Sequence, residues 1–169
     1  TGRRPSKIAA KRIHGGLWER DAAQYFVDNY NASPSKGALA AEVAAVEIPI
    51  IENMMSDGVS IYIGIPVCPT RCLYCSFVTC GTRQAARLSD EYCEMLKREI
   101  SYTAEIIRHN NNKIETVYIG GGTPTTLSAD KLAELLVHIY REFDMSHCRE
   151  FTVEAGRPDT ITAEKLKAL

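Results

Sequence analysis

From residue 58 onward a strand pattern alternates with a helix pattern three times, and an unusual loop follows each strand. Val59–Ile65 alternates with a period of two. Val59, Ile61, Ile63 and Ile65 therefore share one face and should pack on helices, while Ser60, Tyr62 and Gly64 point the other way. Ser89 reads as the N-cap of a helix running to about Arg108, with Asp90 and Glu91 in its first turn and Cys93, Leu96, Ile100 and Ile107 on its apolar side. Thr116–Ile119 is a second predicted strand. Ser128 caps a second predicted helix striped by Leu132, Leu135, Leu136, Ile139 and Phe143. Glu150–Glu154 is a third strand, and Thr162 caps a third helix. This order predicts an α/β fold of parallel β/α units. Three units cannot close a barrel, so residues 58–169 read as the first three units of a truncated barrel.

The loops carry the chemistry. Cys68, Cys72 and Cys75 follow strand one with the spacing C-x3-C-x2-C, Gly120-Gly121-Gly122-Thr123-Pro124-Thr125 follows strand two, and Glu154-Ala155-Gly156-Arg157-Pro158 follows strand three. Parallel β/α folds place their ligand site at the carboxyl ends of the strands, so the three loops should form one site. Parity adds Tyr62 and Glu154 as interior residues near it.

Structural zinc closes with four ligands, and an iron–sulfur cluster normally takes four cysteines. Three neighbouring thiolates suggest a cluster with one iron left open. Zinc completed by Cys80 or a distant histidine, and simple buried thiols, are the alternatives. Cys80, Cys93 and Cys148 lack partner spacing, as do His14, His109, His138 and His147, and His109 and His138 should face solvent. The glycine run lacks the G-x-G-x-x-G and P-loop patterns, so it is either a close approach to a ligand or a tight turn. Glu154 on an interior face needs a partner, either a ligand or a salt bridge to Arg157 or a barrel lysine. Tyr62 is a ligand contact or a core aromatic.

Residues 1–57 differ from the rest. They read as a remnant of an upstream domain plus a helical linker, so the chain is expected to be part of a longer protein. Arg3, Arg4, Lys7, Lys11 and Arg12 make a basic start. Ser33-Pro34 opens a helix through Ala38, Leu39, Ala41, Val43, Ala45 and Val46 that Pro49 should kink or end. Trp18, Tyr25, Phe26 and Tyr30 imply packing. The formal net charge of -1 gives no reason to expect nucleic acid or an anionic membrane as partner. No apolar run approaches the roughly 20 residues of a membrane span. Six cysteines without a disulfide framework point to a reducing, cytoplasmic compartment.

The cysteine spacing, with Tyr74 just before the last cysteine, resembles the cluster loop of radical S-adenosylmethionine enzymes. Tyr62-Ile63-Gly64-Ile65-Pro66-Val67-Cys68, the glycine run, and Val153-Glu154-Ala155-Gly156-Arg157-Pro158-Asp159-Thr160 are similar to the oxygen-independent coproporphyrinogen III oxidase group of that superfamily. The last stretch and Gly2-Arg3-Arg4-Pro5-Ser6-Lys7 look like its coproporphyrinogen dehydrogenase (HemZ-type) branch. The resemblance implies a partial (β/α) barrel preceded by helices. It implies a 4Fe–4S cluster on Cys68, Cys72 and Cys75, and S-adenosylmethionine contacted by Tyr62, Gly121, Gly122, Thr123 and Glu154. It further implies oxidative decarboxylation of a porphyrinogen in haem biosynthesis, with a flavodoxin or ferredoxin as electron donor. The best-known oxidases carry a further cysteine two residues after the third ligand, where this chain has Phe77, as haem-trafficking relatives of the group also lack it. A haem chaperone on the same scaffold and a structural zinc module are the alternative readings.

Overall fold

The computed structural model describes the backbone of residues 4–77 and 80–169 and the side chains of residues 4–77 and 90–169. Arg3 and the side chains of Cys80 and Ser89, which the sequence reading used, lie outside the described residues. The chain divides into two compact units, Thr1–Met54 and Met55–Leu169. The division falls before Met55 rather than after residue 57. Met55 accepts a hydrogen bond from Gly58 N at 3.0 Å and donates one to Glu115 at 2.9 Å, which ties it to the second unit.

The first unit holds three helices, α1 (Pro5–His14), α2 (Glu19–Tyr30) and α3 (Pro34–Glu52). Small residues let them approach closely. Ala9, Ala40 and Ala44 are buried with Phe26 in one cluster, Ala22 and Ala41 are also buried, and a Cβ on Gly37 would lie 2.5 Å from the Ala23 carbonyl oxygen. Leu39, Val43 and Val46 are exposed, so α3 enters the core through its alanines and not through these larger residues. Of the four aromatics expected to pack, Phe26 is buried, while Trp18 is 81% exposed. Tyr25 stacks under the Arg12 guanidinium, 4.0 Å from the ring centroid. Pro34 opens α3 after Ser33, whose hydroxyl meets Ser35 and makes no cap bond. Pro49 does not end this helix, which continues to Glu52.

The second unit has β1 (Gly58–Ile65), a short parallel pair β2 (Val67–Cys68) and β3 (Cys80–Gly81), α4 (Thr82–His109), β4 (Lys113–Gly121), α5 (Ala129–Glu142), β5 (Glu150–Val153) and α6 (Ala163–Ala168). The three long strands are parallel in the order β1-β4-β5. The α/β architecture is thus the expected partial barrel preceded by helices. Ile63, Ile65, Val117 and Ile119 face Leu96, Ile100, Leu132, Leu135 and Ile139 in one core. Burying each such side chain is worth about 1.5–3 kcal/mol, which fixes the strand parity. Tyr62, Tyr118 and Thr152 align in register on the other face.

Several boundaries differ from expectation. Helix α4 begins at Thr82, so Ser89 lies inside it and is not its cap. The second strand runs from Lys113 through Gly121, so two glycines of the run belong to its end. Backbone hydrogen bonding across the sheet holds them there, a force that local propensity does not carry. His138 does not simply face solvent. Its Nε2 lies 2.9 Å from the Lys97 carbonyl oxygen and 3.1 Å from Ser101 Oγ, joining α5 to α4. Ser128 and Thr162 cap α5 and α6 as expected, accepting from Lys131 N and Lys165 N. No helix among the described residues is long and apolar enough to cross a membrane.

Candidate metal and cofactor site

The three loops meet at the carboxyl ends of the parallel strands. Residues 68–77 leave the sheet after β1, and the β2–β3 pairing draws the far end of that segment back beside its start. Cys68, Cys72 and Cys75 are free, half-buried thiols on this one loop. Among the described residues no three His, Cys, Asp or Glu side chains stand together as a ready metal group, so the thiols must turn toward a common centre for all three to ligate. Leu73 and Tyr74 are almost fully exposed between them.

The glycine run packs directly on the cysteine loop. Gly122 N donates to the Ile65 carbonyl at 2.8 Å. A Cβ on Gly122 would lie 2.6 Å from Val67 O and 2.8 Å from Val67 N. Gly121 has a φ of 112°, and a Cβ there would lie 2.9 Å from Ile65 N. A side chain at either place would push the two loops apart. The tight turn is therefore present, and the close neighbour of the glycines is this chain's own backbone. Thr123 is buried, and its hydroxyl lies 3.4 Å from Cys68 Sγ.

Glu154 continues the β5 ladder, donating its N–H to Ile119 O at 2.9 Å. Its Oε1 accepts from the Tyr118 hydroxyl at 2.5 Å. That bond to the carboxylate, followed by desolvation, raises the Tyr118 pKa above the ordinary phenol value. Tyr62 stacks on Tyr118 with centroids 5.8 Å apart and planes 11° from parallel. Gly120 lies beneath this group, where a Cβ would meet Tyr118 at 2.7 Å, Tyr62 at 3.1 Å and Glu154 at 3.2 Å. Tyr62 is 63% exposed, so it belongs to the open face and is no core aromatic. Tyr62, Gly121 and Gly122 also line a hollow of about 330 Å³ with Gly64, Pro66, Phe77 and Tyr92. Thr123 and Glu154 do not line it. A larger groove of about 600 Å³ lies between α4 and α5, bordered by Glu94, Lys97, Arg98, Glu134 and Arg141, and carries none of the loop residues.

Tyr118 and Tyr92 went unnoticed in the sequence, and Arg157 has other partners than the one considered for it. Tyr118 holds Glu154, and its signal was its place opposite Tyr62 in the next strand. Tyr92 donates to the Gly64 carbonyl at 2.5 Å, and burial pushes its hydroxyl pKa up. Arg157 does not pair with Glu154. It binds Asp159 through Nε–Oδ1 at 3.1 Å and reaches back to the cysteine loop, donating to Thr70 Oγ1 at 2.9 Å, Thr70 O at 3.3 Å and Cys72 Sγ at 3.6 Å. The Arg157 guanidinium holds the Asp159 carboxyl below the usual carboxylate range. Sequence separation of more than eighty residues hid the Arg157–Thr70 contact.

The donor set fits a thiolate-held cluster, since three free thiols share a loop beside an aromatic face and a carboxylate. A family model described as the Radical SAM superfamily matches residues 62–169. The oxygen-independent coproporphyrinogen-III oxidase-like protein HemZ of Bacillus subtilis (strain 168) is 37% identical over 172 residues, covering 100% of this chain and 34% of that protein. Anaerobilin synthase of Escherichia coli O157:H7 is 31% identical over 88% of this chain and 34% of its own. Heme chaperone HemW of Bacillus subtilis (strain 168) is 40% identical over 65% of this chain and 28% of its own. The chain spans about a third of the length of these curated relatives. No solved structure matches it significantly. With the cysteine loop, the parallel β/α units and these similarities in agreement, the chain belongs to the radical S-adenosylmethionine superfamily, whose cofactors are a 4Fe–4S cluster and S-adenosylmethionine.

Proposed function

We propose that this chain forms the first β/α units of a radical S-adenosylmethionine oxidoreductase that decarboxylates the propionates of coproporphyrinogen III to vinyl groups in haem biosynthesis. The observation that carries this reading is the similarity to the coproporphyrinogen-III oxidase-like protein over the whole chain, the helical residues before the sheet included. Each propionate would lose one hydrogen atom from its β-carbon, its carboxylate as carbon dioxide, and one electron. When bound, the cluster and S-adenosylmethionine supply the one-electron chemistry that removes a hydrogen atom from an unactivated carbon.

This chain's residues would bind and orient. Cys68, Cys72 and Cys75 would hold the cluster. Glu154, held by Tyr118, would accept from the ammonium group of S-adenosylmethionine. Gly121 and Gly122 would line its berth with backbone and no side chains, and Tyr62 and Phe77 would wall it against water. Thr123, buried against Cys68, would act on the cysteine loop from behind. Free cysteines suit a reducing, cytoplasmic setting with a flavodoxin or ferredoxin as electron donor.

A haem chaperone is the second reading. Phe77 in place of the oxidases' further cysteine, and the similarity to heme chaperones over the barrel residues, favour it. The deciding experiment gives the full-length, anaerobically reconstituted protein coproporphyrinogen III, S-adenosylmethionine and a reductant. Protoporphyrinogen IX, formed with loss of two carbon dioxide molecules and abolished in a Cys68→Ala/Cys72→Ala/Cys75→Ala variant, supports the oxidase. Stoichiometric haem binding without turnover supports the chaperone.

A further inference from the structure

We infer that Arg157 is a positioning residue for the iron–sulfur cluster, holding the cysteine loop and donating a hydrogen bond to the Cys72 thiolate that raises the cluster's reduction potential. The inference rests on the reading that Cys68, Cys72 and Cys75 hold the cluster.

The geometry is specific to a guanidinium. Its Nη2 meets Thr70 Oγ1 at 2.9 Å, its Nη1 is shared between Thr70 O at 3.3 Å and Cys72 Sγ at 3.6 Å, and its Nε is bound to Asp159 at 3.1 Å. One planar fork therefore reaches three residues on two loops, which a lysine cannot do. Asp159 orients the fork by accepting from both Nε at 3.1 Å and Nη2 at 3.2 Å.

The base of the fork is clamped as well. Thr160 is buried, and its hydroxyl donates to the Arg157 carbonyl at 2.8 Å. That hydroxyl's single proton is then spent, so Thr125 Oγ1 donates to it across 2.6 Å. Lys165 Nζ closes the clamp on the carbonyls of Thr125 at 2.6 Å and Thr160 at 3.0 Å. The Arg157 backbone is thereby held to the turn after β4. Its side chain is 23% exposed.

Hydrogen bonds to cluster sulfurs and nearby positive charge stabilise the more negative, reduced state and raise the potential. Replacing Arg157 should lower it. The shift expected for Arg157→Gln is about 59 mV downward, which is a tenfold change in the oxidised-to-reduced ratio of a one-electron couple.

The test is an EPR-monitored redox titration of the full-length reconstituted protein, wild type beside Arg157→Gln and Arg157→Lys. A lowered midpoint in Arg157→Gln, with Arg157→Lys between it and wild type, supports the inference. Wild-type midpoints in both variants overturn it. If Arg157→Gln takes up no cluster, Arg157→Lys decides alone: a lowered midpoint supports, an unchanged one overturns. A wild-type protein that binds zinc and no iron–sulfur cluster overturns the cofactor reading itself, a result distinct from an unchanged midpoint.

Discussion

Tyr118 donates its phenolic proton to Glu154 Oε1 at 2.5 Å, while the ring of Tyr62 stacks on its own ring. Two neighbouring strands thus present one carboxylate and one aromatic surface as a unit. A Cβ on Gly120 would lie 2.7 Å from the Tyr118 ring, so that ring keeps this place because Gly120 has no side chain.

Replacing Tyr118 by Phe keeps the stack and removes the donor. A hydrogen bond to a charged group contributes about 1.5–3 kcal/mol. S-adenosylmethionine should bind at least about tenfold more weakly to the Tyr118→Phe holoprotein. Equilibrium dialysis with labelled S-adenosylmethionine measures this, and wild-type affinity would remove Tyr118 from the site.

The glycines separate structural need from chance. Gly122→Ala sets a Cβ 2.6 Å from a backbone oxygen, and backbone cannot yield as a side chain tip can. A loss of about 1–3 kcal/mol is expected, together with poorer cluster retention. Gly156 has nothing within 4 Å of a built Cβ and no positive φ. Gly156→Ala should leave stability unchanged or raise it by up to about 1 kcal/mol. Denaturant melts of both variants check the contrast.

Single Cys68→Ser, Cys72→Ser and Cys75→Ser variants should each lose most cluster iron after reconstitution. Cys93→Ser and Cys148→Ser should keep it, because Cys93 packs against the helical core and Cys148 donates to the Glu150 carbonyl at 3.3 Å. Iron and sulfide assays on the five variants decide. Iron lost from Cys93→Ser as well would move the ligand set.

The clamp behind Arg157 should matter for stability. Thr160→Val leaves the buried Thr125 hydroxyl without its acceptor and the Arg157 carbonyl without its side-chain donor. Such a loss costs about 1–3 kcal/mol, readable from urea melts. A Thr160→Ser variant should restore most of it.

Glu115 governs an acid limb. The carboxylate is buried, accepts from Met55 N at 2.9 Å, and is bound by Arg149. The Met55 N–H, and after it Arg149, hold its pKa below the ordinary glutamate value. A folded value below the unfolded one means that this stabilisation is present above the unfolded value of about 4.3. It is lost as pH falls through the folded value. Glu115→Gln should be less stable at pH 7 and show a shallower stability loss below that range. Thermal melts from pH 7 to pH 3 provide the comparison, and parallel curves would contradict it.

How legible the site was depended on the range of the forces involved. Strand parity at Ile63 and Ile65, the apolar stripe of α5, and the caps Ser128 and Thr162 are local patterns, and the structure carries them unchanged. The start of α4 was misread because Ser89, Asp90 and Glu91 imitate a first turn, while the helix had already begun at Thr82. The end of β4 was misread because Gly120 and Gly121 look like loop, yet pair with Gly64 and Ile65.

The sequence by itself determined the parallel β/α order, the loop that carries three thiols, and the family to which the chain belongs. The first two follow from periodicities and spacings within a few residues of chain, and the family from the likeness of those motifs to known proteins. Only the tertiary structure decided that Arg157 leaves Glu154 to Tyr118 and binds the cysteine loop, and that Gly121 and Gly122 lie against the backbone of Ile65 and Val67. Those relationships join segments far apart in sequence, where hydrogen-bond geometry and backbone contact at a few ångströms choose among partners that composition and spacing leave equivalent.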